Sequence, residues 1–188
     1  MEDINDIINW IKAKPFVDPD RIGMSGYSYG GFMTAYAMTH SDLFAAGIAG
    51  GTVTSWRDYD TIYTERYMDT PQENPDGYEA TSVVKAAKNL HGDLLRVHGW
   101  VDVNVHTQNS VKLIKALQDA NKDFEMAFYP RFSHGIWSAH YRKQNYDFQM
   151  RLVHMAADHS GSNKNHTLPM HPLPERPETK QEAQSHSP

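Results

Sequence analysis

The chain of 188 residues contains no cysteine, which excludes disulfides, thiolate zinc sites and cysteine nucleophiles together. It leaves the compartment open, because many exported proteins also lack cysteine. No apolar run approaches the roughly 20 residues of a membrane span. Met1 leads into an acidic amphipathic segment rather than a basic, apolar leader, so this segment is not expected to be exported on a signal of its own. An excess of basic charge is missing too. The formal net charge is -5 and the lysines and arginines are scattered, which speaks against nucleic acid as a partner. Residues 160–188 lack aromatic residues and hold Pro169, Pro172, Pro174, Pro177 and Pro188. They cannot bury enough apolar surface to order themselves and are expected to form a disordered tail.

What is present suits one domain, residues 1–159. Hydrophobic residues make up 39% and charged residues 22%, within the range of a globular protein of this length. Ile4, Ile7, Ile8 and Ile11 follow the spacing of one helical stripe, and Pro15 closes it. Asp18, Pro19 and Asp20 make a turn, and Arg21 to Met24 read as a buried strand that stops at GYSYGG, residues 26–31. The apolar FMTAYAMTH then reads as a helix. Short apolar runs at 45–51, 94–99 and 124–129 predict further strands, and Val111, Ile114 and Leu117 stripe a helix over 110–120. Between 52 and 90 the pattern is least regular, with helical character at 79–88, as expected of a segment that carries pocket walls or lids. A helix from Ser138 to about Asp158 is expected to close the domain. Strands alternating with helices predict an α/β fold, a mostly parallel sheet with helices on both faces.

Gly26, Ser28 and Gly30 satisfy G-x-S-x-G, in which the first glycine permits a sharp turn and the second lets the helix pass close to the strand. The bare pattern arises by chance in roughly one chain in twenty of this length, so the strand before it and the helix after it carry the weight. The alternative is a glycine-rich structural turn. A serine nucleophile needs an imidazole to take its proton and a carboxylate to orient that imidazole. In a parallel sheet these gather beyond the carboxyl ends of strands, in the chain order Ser, acid, His. Asp102 follows the 94–99 strand and His134 follows the 124–129 strand. Asp93 and Asp123 sit at the wrong ends of their strands. His98 lies within or at the end of a strand and precedes every candidate acid, and His106 and His140 are read as ordinary surface or packing residues. The alternative for Asp102 is a turn aspartate. The backbone N–H of Tyr29 offers one oxyanion donor at a helix start; a second, from a loop after an earlier strand, is missing from the sequence. No ligand spacing such as H-E-x-x-H appears, so neither metal nor cofactor is expected.

At these residues the chain resembles the prolyl oligopeptidase family of serine peptidases, and most closely its dipeptidyl peptidase IV-like branch. VDPDRIGMSGYSYGGFMT resembles the nucleophile segment, DYDTIYTERYM (58–68) an aromatic segment typical of the branch, and HGWVDVNVH with SHG the acid and base motifs, over about residues 1–155. The resemblance implies a partial α/β-hydrolase fold, with Ser28 as nucleophile, Asp102 as orienting acid and His134 as general base. It implies that Val53, Trp56, Tyr59, Tyr63 and Val105 wall a flat apolar pocket for a proline ring, and that Asn104 hydrogen-bonds a substrate carbonyl. Aromatic walls suit a rigid ring without a donor; read without the resemblance, the same aromatics are core packing. The implied activity is cleavage of peptides after proline or alanine. The same triad would also serve an acylaminoacyl peptidase or a carboxylesterase. Members of the family carry an N-terminal β-propeller and earlier hydrolase strands that do not occur in this sequence, so the chain is expected to be the C-terminal part of a hydrolase domain. A catalytically inactive fragment that acts only as a binding or dimerisation module is the rival expectation. The relatives are variously cytosolic, periplasmic or membrane-anchored, which leaves localisation open.

Overall fold

The computed structural model describes residues 1–136 together with Lys143, Tyr146, Asp147 and Met150. Strands β1 (Gly23–Tyr27), β2 (Ala46–Gly50), β3 (Asp93–Gly99) and β4 (Glu125–Tyr129) form one sheet in the order β1-β2-β3-β4, with every neighbouring pair parallel. Helix α1 (Glu2–Lys12) precedes the sheet, α2 (Tyr29–His40) joins β1 to β2, and α6 (Gln108–Asp119) joins β3 to β4. All four strands therefore point their carboxyl ends to the same edge.

β1 extends beyond the expected run at 21–24 because Ser25, Gly26 and Tyr27 pair with Ile48, Ala49 and Gly50. A serine and a glycine hid these positions from an apolar pattern, although their backbone pairs as well as any other. α2 is apolar on nearly every side, and Ala35, Ala37 and Met38 are wholly buried, as an all-round apolar helix must be. Ile8 of α1, Phe32 and Met38 of α2, Leu94 of β3 and Leu113 of α6 share one core on this face of the sheet. The alternation of side chains along β3 sends Leu95 and Val97 to the opposite face, where they join Ile48, Tyr129 and Ile136. One residue of the expected α1 stripe departs. Ile7 is 57% exposed, since helical geometry places it about 60° to one side of Ile4, at the margin of the buried face.

The 52–90 segment is more regular than its pattern predicts. It holds a 3-10 turn at Trp56–Asp58, α3 (Thr61–Met68), α4 (Pro75–Ala80), α5 (Val83–Ala86) and a second 3-10 turn at Ala87–Asn89. These helices are too short to show a periodicity. Each is started by a side chain instead: Asp60 accepts from the N–H of Tyr63, Asn74 from that of Gly77 and Ser82 from that of Lys85. Of the helix expected from Ser138, the four described residues are helical and exposed, and Lys143 pairs with Asp147 at 2.9 Å. The rest of that helix and the 160–188 tail lie outside the described residues. No helix among the described residues is long and apolar enough to cross a membrane.

Candidate active site

β1 ends at Tyr27 and α2 begins at Tyr29, so Ser28 alone makes the turn between them. It does so at φ 59°, ψ -118°, a conformation that costs a non-glycine residue on the order of 1–3 kcal/mol. Two hydrogen bonds hold it: Ser28 N–H donates to the Gly50 carbonyl (2.8 Å) and Phe32 N–H to the Ser28 carbonyl (2.9 Å). The glycines around it divide the work differently from the motif expectation. A Cβ on Gly26 would fall well inside van der Waals contact of the Gly30 backbone, and one on Gly31 would meet the Gly50 carbonyl. A Cβ on Gly30 would meet nothing within 4 Å. The close passage of α2 over β2 thus depends on Gly31, and Gly30 contributes its backbone to the tight turn against Gly26.

His134 arrives from the loop after β4. Its Nε2 lies 2.8 Å from Ser28 Oγ, and its Nδ1 lies 2.8 Å from Asp102 Oδ2. With Nδ1–H donating to the carboxylate, the Nε2 lone pair faces the serine hydroxyl and can accept its proton. Tyr27 meets the imidazole edge-on at 5.6 Å between centroids.

Asp102 follows β3 and has no exposed side-chain surface. Its Oδ1 accepts the N–H groups of Asn104 and Val105, both at 2.9 Å, the turn geometry natural to an aspartate. Turn aspartate and His134 partner are therefore one residue in two capacities. Its Oδ2 also lies 3.2 Å from Nε2 of His98. His98, set aside on sequence because it precedes every candidate acid, is buried against the same carboxylate. The signal that could have found it is a histidine four residues before the acid, at the end of a largely apolar strand. Burial, with a smaller contribution from the Arg96 charge, holds the His98 ring below the ordinary histidine range, which keeps it neutral.

Tyr29 opens α2, so its N–H is among the first-turn amides that have no acceptor within the helix. Its ring lies 6.1 Å from that of Trp56. Trp56 stacks on Tyr63 (6.0 Å, 23°) and meets Tyr59 edge-on (5.9 Å, 79°), and Tyr59 meets Tyr63 edge-on (5.5 Å, 84°). Trp56, Val53 and Val105 are buried in the core, while Tyr63 is 40% exposed. The two readings of these aromatics divide along that line, with a buried base and a tyrosine rim facing solvent. Tyr59 Oη donates to Asn104 Oδ1 at 2.7 Å, which fixes the Asn104 amide and leaves its Nδ2 hydrogens as donors. Burial, then the nearby Asp60, Tyr63 and Asp102, raise the Tyr59 phenol above its ordinary range, so it remains a donor.

Asn109, which sequence reasoning did not single out, ties this wall to α6. It is wholly buried. Its Oδ1 accepts the N–H of Thr54 at 2.9 Å, its carbonyl accepts the Thr54 hydroxyl at 2.8 Å, and its Nδ2 donates to the Asp58 carbonyl at 3.4 Å.

The prolyl oligopeptidase family is matched over residues 1–160. A probable dipeptidyl-aminopeptidase B of Emericella nidulans is 45% identical over 134 residues, 69% of this chain and 15% of the relative. Human dipeptidyl peptidase 8 is 38% identical over 151 residues, 78% of this chain and 16% of the relative. The chain thus spans about one sixth of the curated relatives it matches. Among solved structures, dipeptidyl peptidase 4 of Porphyromonas gingivalis superposes with a TM-score of 0.78 at 40% identity, covering 81% of this chain and 22% of that one. An acylaminoacyl peptidase in complex with Z-Gly-Gly-Phe-chloromethyl ketone gives 0.72 at 30% identity, covering 81% and 26%. With an α/β-hydrolase sheet, a matching family over most of its length and relatives well above 30% identity, the chain belongs to the prolyl oligopeptidase family of serine peptidases.

Proposed function

We propose that Ser28, His134 and Asp102 form a catalytic triad that cleaves peptides after proline or alanine, in the manner of a dipeptidyl peptidase. The observation that carries this reading is the unbroken chain from Ser28 Oγ through both nitrogens of His134 to Asp102 Oδ2, with 2.8 Å at each link. Ser28 Oγ attacks the substrate carbonyl while His134 Nε2 takes its proton. His134 then gives that proton to the leaving amine, and water, activated by the same imidazole, releases the acyl group. Asp102 holds Nδ1–H toward itself and stabilises the imidazolium that forms. The Tyr29 N–H donates to the developing oxyanion. The rims of Tyr59 and Tyr63 receive the proline or alanine side chain, with Trp56, Val53 and Val105 as backing, and Asn104 Nδ2 donates to a substrate carbonyl.

The test is covalent labelling with a fluorophosphonate probe, comparing the chain with Ser28→Ala. Labelling that depends on Ser28 is expected; equal labelling of two folded proteins overturns the reading. For specificity, a chromogenic Gly-Pro substrate is expected to react in preference to a short-chain ester. The reverse preference would favour an esterase with the same triad.

A further inference from the structure

β3 runs DLLRVHG, and the arginine within it is anomalous. Arg96 is 2% exposed, and its Nε and Nη1 have no hydrogen-bond partner among the described residues. Burial holds its guanidinium down to about 10, so it is still charged at neutral pH. A buried cation with two orphaned donors is costly, and its one hydrogen bond is therefore informative. Nη2 donates to Ser110 Oγ at 2.5 Å. That oxygen lies 2.6 Å from Nδ1 of His98, and Nε2 of His98 lies 2.8 Å from the Val105 carbonyl and 3.2 Å from Asp102 Oδ2.

Donor and acceptor counting orders this row in one direction. A guanidinium has only donors, so Ser110 Oγ accepts from Arg96; with two acceptors facing Nε2 of His98, the Ser110 proton is the one that goes to Nδ1. Nδ1 is then an acceptor, and the ring proton sits on Nε2, where both neighbours are acceptors. The opposite tautomer would set an Nε2 lone pair against a carbonyl and a carboxylate. The row thus places the Nε2–H of His98 between the Val105 carbonyl, which accepts it at 2.8 Å, and Asp102 Oδ2 at 3.2 Å, beside the 2.8 Å hydrogen bond that Oδ2 accepts from His134.

We infer that Arg96, Ser110 and His98 are positioning residues that act through Asp102: Arg96 anchors the Ser110 hydroxyl that donates to His98, and His98 holds the carboxylate in the orientation that His134 requires. The tautomer is independent of whether this chain hydrolyses anything; only the kinetic arm below rests on the proposed triad.

The experiment is long-range 1H–15N correlation of the histidine rings in the full chain and in Arg96→Met, with the fluorophosphonate labelling rate measured on the same samples. In the wild type, His98 is expected to carry its proton on Nε2 alone; a proton on Nδ1, or an even mixture, overturns the inference. Arg96→Met removes an underpaired buried charge and is expected to fold with equal or higher stability. It should nevertheless label about tenfold more slowly, the rate equivalent of one hydrogen bond to a charged group. Arg96→Lys, which restores a cationic donor, is expected to recover most of the rate. A folded Arg96→Met with wild-type labelling also overturns it. Should that variant not fold, Ser110→Ala is read in the same way, and if neither folds the wild-type tautomer decides. A wild type that does not label at all refutes the triad reading, and the tautomer then still decides whether the row from Arg96 to His98 is ordered in this direction.

Discussion

His134 Nε2 lies 2.8 Å from Ser28 Oγ, yet the two residues follow the opposite edge strands of the sheet, β4 and β1. Three strand spacings amount to roughly 14 Å, so the loop after β4 must fold back across the carboxyl end of β3. It does so over Gly99, where Val101 N–H donates to the Phe132 carbonyl at 3.2 Å. A Cβ at Gly99 would fall well inside contact of the Ser133 and Phe132 carbonyls. Gly99→Ala is therefore expected to lift the loop and pull His134 from the serine. Displacements near 1 Å cost about 100-fold in rate, so fluorophosphonate labelling should fall by about that factor while a thermal melt still shows a cooperative transition. Unchanged labelling would mean that the loop is not held by this passage.

The glycines of the serine turn give a second contrast. Gly30→Ala places a methyl in open space on a helix, where alanine is favoured by roughly 0.5–1 kcal/mol. Gly31→Ala drives a methyl into the Gly50 carbonyl, an overpacking that costs about 1–3 kcal/mol. Urea titrations are expected to move in opposite directions for the two variants. A shared direction would show that α2 is free to shift against β2.

That Ser28, Asp102 and His134 meet was legible because the signals are local: a glycine-bounded turn after a strand, and two strand ends on one edge. The four strands and the long helices were legible from runs and stripes that exceed the noise of composition. What escaped notice depended on contacts distant in sequence. That Gly31 and not Gly30 meets β2 depends on where Gly50 arrives. That His98 serves the carboxylate depends on the turn from Asp102 to Val105, which brings acid and ring together. The short helices α3 to α5 escaped for another reason, being set by single capping side chains at Asp60, Asn74 and Ser82 rather than by a stripe.

The buried, neutral His98 makes stability depend on pH. Its folded value lies below its ordinary one, so the unfolded chain binds this proton more readily. Stability from this group is fully present above about pH 6.5 and is lost as the pH falls from there toward the lower folded value. The loss approaches about 1.4 kcal/mol per pH unit within that window. His98→Gln keeps a donor near Nε2 and cannot titrate. Chemical denaturation at several pH values is expected to show the wild type losing stability relative to His98→Gln on acidification; parallel curves would place the ring in solvent reach.

Two residues of α6 hold the segment that carries Trp56, and their energetics should differ. Lys112 reaches Asp58 Oδ1 at 2.6 Å, but the lysine side chain is 51% exposed, and exposed pairs of this kind contribute about 0–1 kcal/mol. Asn109 instead satisfies the N–H of the wholly buried Thr54. Asn109→Ala leaves that donor buried without an acceptor, a cost of about 1–3 kcal/mol, whereas Lys112→Ala should fall within about 0.5 kcal/mol of the wild type. Asn109→Ala also frees the loop beneath Tyr59 and Tyr63. If those rings receive the residue before the cleaved bond, KM for a Gly-Pro substrate should rise more than kcat falls, because the loosened wall weakens binding while the triad stays in place. Equal effects of the two substitutions on stability would mean that the segment is held by its aromatic packing and not by α6.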